Sequence, residues 1–203
     1  MALLAVGASP AKAAKPDAVI SGFRVKLSQL SEAERTALLA DYERQIAIIT
    51  SAGLPQPVLD FMRKIPIVVS KDRPQQGSIA AFTRKSQDGR GTVIVAARPL
   101  PSQRPILLHE MIHAWDWNAY GFNNTSIGEA FAAAKAGQFY GSPNSHFLSN
   151  AHEYFAIAAT IYLTGTIQQP PFDCRVLAAR QPEFVAFLGR VFGPHDHCMS
   201  VAD

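Results

Sequence analysis

The sequence predicts an α+β domain, mostly helical, with a small sheet of three to four strands placed before a helix that carries two histidines and a glutamate. Three observations predict it. Apolar residues recur at helical spacing near the start and through the second half of the chain. Between residues 65 and 97 the pattern shifts to short β-branched runs separated by turn residues. Then comes Ile106-Leu107-Leu108-His109-Glu110-Met111-Ile112-His113-Ala114-Trp115, an apolar run interrupted by three polar side chains. Unpaired polar groups are costly to bury, so these three need partners.

Taken in order, residues 14–30 enter loosely, with weak strand character over Ala18–Val25. Ser31-Glu32-Ala33-Glu34 is a capping-box pattern and opens a helix to about Ser51, with Leu38, Leu39, Tyr42, Ile46 and Ile49 on one side. Gly53 closes it, and Pro55 and Pro57 start a short helix through Met62. Strands are expected at Ile65–Val69, Ser78–Arg84 and Thr92–Ala96, the last two joined by the turn-rich Lys85–Gly91. Pro99, Pro101 and Pro105 block further pairing before the histidine helix. A loop is expected over Asn118–Gly128, a helix over Glu129–Gln138 and a loop over Gly141–His146. Ser149 or Asn150 can cap a helix from Ala151 to Leu163. One or two tail helices are expected, over about 174–180 and 182–192.

With 203 residues, 48% of them hydrophobic and 17% charged, the chain can build one sizeable core, so residues 14–203 read as a single domain. The net charge of +3 is mild and its cations do not cluster. No nucleic-acid partner is expected, and no segment has the length for stable membrane insertion. Residues 1–13 resemble the end of a secretory signal peptide, with an apolar stretch and Ala11-x-Ala13, but lack a positive start. Export is the localisation that follows. Cys174 and Cys198 can then form one disulfide, although the sequence does not show that they pair. The oligomeric state is not legible.

His-Glu-x-x-His on a helix puts His109 and His113 four residues apart, one above the other on a single face. Two neutral imidazoles bind Zn²⁺, and the adjacent Glu110 carboxylate can take a proton from water at the metal. A third protein ligand is needed. The position six residues past His113 is Ala119, which cannot serve. Asp116 lies on the same helix. Glu153, early in a mostly apolar helix, is the best candidate, since burying it without a cation would be costly. Glu129 is the runner-up. The plainer alternative for Glu153 is a carboxylate that favours the helix dipole.

The pairing of His-Glu-x-x-His with His152-Glu153-Tyr154-Phe155-Ala156 forty residues on resembles the gluzincin metallopeptidases. It looks closest to the anthrax lethal factor-like and Pro-Pro endopeptidase group. The resemblance spans roughly residues 65–165 and implies a zincin-like fold, one Zn²⁺ held by His109, His113 and Glu153, and a peptide or protein substrate. It departs in two places. Ile157 replaces that segment's second acid. His146 stands where the family places a tyrosine that stabilises the transition state. Histidine can donate to a developing oxyanion, as can Tyr140 from the preceding segment. By the same resemblance, Ile79–Thr83 is the sheet edge along which substrate would pair. His152 is either a surface residue or an outer support for a ligand. Trp115 and Trp117 are expected to pack the helix.

The expected function is therefore a zinc-dependent endopeptidase with Glu110 as general base. Two rivals remain: an inactive, exported binding module on the same fold, and a zinc hydrolase of non-peptide substrates. An intact Glu110 speaks against the first, because a structural metal site has no use for it.

Overall fold

A computed structural model describes residues 17–72, 74, 78–142 and 144–199. The signal-like residues 1–13 lie outside that range. The chain opens with a hairpin, β1 (Ala18–Ile20) and β2 (Phe23–Lys26), whose turn residues Ser21 and Gly22 both have positive φ. That turn geometry matches the right-handed twist of paired strands. Helix α1 (Glu32–Ser51) begins with the expected capping box: Glu34 N–H donates to the Ser31 hydroxyl, and Ser31 N–H donates to the Glu34 carboxylate at 2.6 Å. Helix α2 (Gln56–Met62) follows, then β3 (Ile67–Ser70), β4 (Ala80–Thr83) and β5 (Thr92–Ala96).

The five strands lie in the order β1-β2-β3-β5-β4. β2, β3 and β5 run parallel, and the outer pairs are antiparallel. The expected three to four strands become five because the weak Ala18–Val25 segment folds back on itself and joins the sheet through β2. The α1–α2 segment makes the crossover between β2 and β3 that parallel strands need.

The histidine helix is α3 (Ile106–Tyr120), which runs three residues into the expected loop from Asn118, and it ends at Gly121 in the left-handed conformation. The expected loop 118–128 is correspondingly short. Asn124 caps α4 (Thr125–Ala136) by accepting from Ile127 N–H. A short 3₁₀ turn, His146–Leu148, leads into α5 (Ala151–Thr164), followed by α6 (Cys174–Arg180) and α7 (Pro182–Phe192).

Helices α3 and α5 are the central pair, and α3 also packs on α1, α2, β4 and β5. From Tyr154 to Leu163 every residue of α5 is buried, which explains its near-continuous apolar sequence. Trp115 meets Phe61 edge-on, and Trp117 lies against Phe122 while its indole N–H donates to Gly89 O. Both tryptophans thus pack α3, the second by holding the β4–β5 turn. Cys174 and Cys198 are joined in a disulfide that ties the tail to the start of α6. No helix among the described residues is long and apolar enough to cross a membrane.

Candidate metal centre

Helical geometry brings His109 and His113 to one face of α3, with their Nε2 atoms 3.1 Å apart. The first turn of α5 faces them. Asn150 caps that helix, its Oδ1 accepting from both His152 N–H and Glu153 N–H at 2.9 Å. The cap is complete without Glu153's side chain, which is free to point across at α3. Its Oε2 lies 3.3 Å from His109 Nε2 and its Oε1 lies 3.4 Å from His113 Nε2. His146, on the 3₁₀ turn just before α5, places its Nε2 3.0 Å from Glu153 Oε2.

These contacts lie at hydrogen-bonding distances, yet they converge on a single point. Glu153 Oε2 is buried, and no approach to it has hydrogen-bond geometry, although two imidazole nitrogens lie close by. The distances suit a different arrangement. Ligands about 2.0–2.1 Å from a tetrahedral ion sit roughly 3.3 Å from one another, and the four separations here run from 3.0 to 3.4 Å. The ligand atoms of His109, His146 and Glu153 all lie within 4.8 Å of one another, a group able to hold a metal ion. His113 Nε2 is not part of that group, but approaches two of its members, His109 at 3.1 Å and Glu153 at 3.4 Å. Nitrogen and carboxylate donors of this kind suit zinc.

Electrostatics follow from the same crowding. Burial alone would raise the Glu153 carboxyl, but the imidazoles of His109, His113 and His146 together pull it far below the usual carboxylate range. Burial works to lower His113, and is outweighed by the Glu153 contact and the nearby charges of Glu110 and Asp116, so its pKa is raised. His146 is raised chiefly by its contact with Glu153. Its side chain is 60% exposed, against 17% for His109 and 10% for His113, so it stands at the mouth of the cluster.

Glu110 is buried, and its Oε2 accepts from Phe82 N–H of β4 at 2.7 Å. Strand β4 is at the sheet edge. Ala96 N–H donates to Ile79 O, and the register Ala80↔Val95 and Phe82↔Val93 then turns the backbone groups of Ala80 and Phe82 away from β5. The outward side of this edge is where Glu110 sits.

The other sequence candidates separate clearly. Glu129 is exposed on α4 and lines a different cleft, beside Arg180 and Arg190. The Tyr140 hydroxyl donates to Gln181 Oε1 at 2.6 Å in the interior, which commits it away from the cluster. His152 places Nδ1 3.3 Å from Asp116 Oδ2 and packs at a tilt against Phe122. Asp116 itself is 1% exposed, and burial raises its pKa. It lies three residues past His113 on the same helix, as the sequence spacing states, and its charge helps to raise the His113 pKa.

The chain matches no family model and no curated protein. Among solved structures it is similar to a Pro-Pro endopeptidase from Paenibacillus alvei, with 16% identity and a TM-score of 0.48 over 83% of this chain and 95% of that one. Likeness at that level leaves the functional reading to the side chains themselves.

Proposed function

We propose that this chain is an exported zinc-dependent endopeptidase. The observation that supports it best is the convergence of the His109 and His113 imidazoles on the partly buried Glu153 carboxylate, at separations of 3.1–3.4 Å suited to a tetrahedral ion, with His146 beside them. In this reading His109, His113 and Glu153 hold one Zn²⁺. When bound, the ion supplies Lewis acidity and makes water a nucleophile at neutral pH. Glu110 would take a proton from the attacking water and pass it to the departing amine. Its bond to Phe82 N–H holds the carboxylate beside the β4 edge, where an extended peptide would lie. The outward N–H and C=O of Ala80 and the outward C=O of Phe82 would pair with that peptide's backbone. His146, exposed at the mouth, donates to the oxyanion developing at the attacked carbonyl. Substrate is peptide or protein. The Cys174–Cys198 disulfide is compatible with an oxidising compartment.

Glu110→Gln is the test. Metal analysis is expected to find one zinc per chain in wild type and variant alike. Digestion of a broad peptide library is expected to fall by roughly 10²–10⁴-fold in the variant. Undiminished cleavage would remove Glu110 from its role. Zinc binding with no peptide cleaved by the wild type would favour the non-peptide hydrolase or the binding module.

A further inference from the structure

The cleft in front of His109 and Glu110 has a volume of about 550 Å³. Ile79, Ile106 and Ile167 give it apolar walls. Arg98 and Arg104 line it too, and Glu110 is the one acid among its lining residues. That acid is already engaged by Phe82 N–H. Among the described residues neither guanidinium has an ion pair. Arg104 is near enough to His146 for its charge to oppose protonation of that imidazole.

The backbone bearing the two arginines is clamped from behind. Asp41 and Gln45, both buried on α1, spend their side chains on the segment between β5 and α3. Asp41 Oδ2 accepts from Leu100 N–H at 2.9 Å. Gln45 Nε2 donates to Pro101 O and Arg104 O, and its Oε1 accepts from Leu107 N–H. Two like charges facing one cleft, on a backbone fixed before anything binds, have no internal partner and suit an external anion.

We propose that this cleft takes peptides bearing a carboxylate, which Arg98 and Arg104 bind while the neighbouring backbone lies along β4. The proposal rests on the zinc-peptidase reading for its placement of the peptide. The carboxylate has two sources, an Asp or Glu side chain or a free C-terminus. Guanidinium forks accept either in bidentate fashion.

The experiment uses three pools of octapeptides: N-acetylated and C-amidated without Asp or Glu, the same with both acids included, and acid-free with a free C-terminus. Immobilised Glu110→Gln protein captures peptides from each pool, and zinc-loaded wild type digests the same pools. Both are read by mass spectrometry. Carboxylate-bearing peptides are expected to be enriched about tenfold on the captured fraction, the worth of one charge-assisted contact. Enrichment in the second pool identifies side-chain acids, and in the third a free terminus. Adding Arg98→Gln and Arg104→Gln is expected to abolish the enrichment, while lysine at both positions keeps most of it. No enrichment, enrichment that survives both glutamines, or equal loss with lysine and glutamine would overturn the proposal. Enrichment that depends on the arginines, with no peptide cut by wild type, would sustain the anion subsite and remove the peptidase reading instead.

Discussion

Glu34 and Glu153 occupy the same place on two different helices. Each lies three residues past the capping residue, Ser31 on α1 and Asn150 on α5. Glu34 bends back and accepts from Ser31 N–H at 2.6 Å, closing the capping box. Glu153 does not. Asn150 Oδ1 alone takes the free N–H groups of His152 and Glu153 at the start of α5, and the Glu153 carboxylate turns toward three imidazoles. The difference teaches that a helix-start acid is mainly a local device when it faces solvent and one exposed lysine, and a component of a site when another element presents several imidazoles to it. α1 opens toward solvent with Glu34 near Lys71, whereas α5 opens onto α3.

Substitutions at the two helix starts test this contrast. The largest effect is expected for Glu153→Gln. Removing a protein ligand is expected to weaken zinc binding by more than about a hundredfold, since even outer supports cost 10–100-fold. Titration with a competing chelator measures it. Unaltered affinity would place Glu153 with Glu34 as a simple helix-start charge. Asn150→Ala comes next. Loss of the cap is expected to cost about 1 kcal/mol, or roughly 2–4 °C in melting temperature for a chain of this size. The bared N–H groups then compete for the Glu153 carboxylate, so zinc affinity is expected to drop severalfold as well. A stability loss with no change in affinity would show that the cap does not free Glu153 for the site. The smallest effect belongs to Glu34→Ala, which touches an exposed cap. Glu34's pKa is lowered from 4.5 to about 2, chiefly by the Ser31 backbone bond. A folded-state pKa below the unfolded one stabilises at higher pH, and the benefit disappears on acidification. The gap in melting temperature between wild type and Glu34→Ala is therefore expected to narrow as pH falls from 4.5 to about 2. A gap constant over that range would break the assignment.

The same pair shows what was legible in the sequence. Ser31-Glu32-Ala33-Glu34 could be read outright because both of its capping bonds lie within one helical turn. His109 and His113 could be read for the same reason. Glu153 could be nominated from its apolar surroundings, but its distance from the imidazoles depends on how α5 packs on α3, which no local pattern states. The β1–β2 hairpin has a local signal in the Ser21-Gly22 turn between apolar residues, weak because its strands are only three and four residues long. Arg98 and Arg104 had none. What makes them a pair is a clamp from Asp41 and Gln45 more than fifty residues earlier. Tyr140 was a fair oxyanion candidate by sequence position, yet Gln181 claims its hydroxyl from a segment forty-one residues away.

The contact between Glu110 and Phe82 N–H also bears on how the molecule behaves among its own copies. A strand at the rim of a sheet offers unspent amides to any neighbouring chain, and natural proteins shield such rims to prevent self-association. Here β4 is four residues long, Arg84 and Lys85 follow it, and a carboxylate already holds its Phe82 amide. Neutralising that carboxylate leaves the amide with a weaker partner, so the Glu110→Gln protein should be kept dilute and its light scattering followed before any loss of turnover is attributed to chemistry.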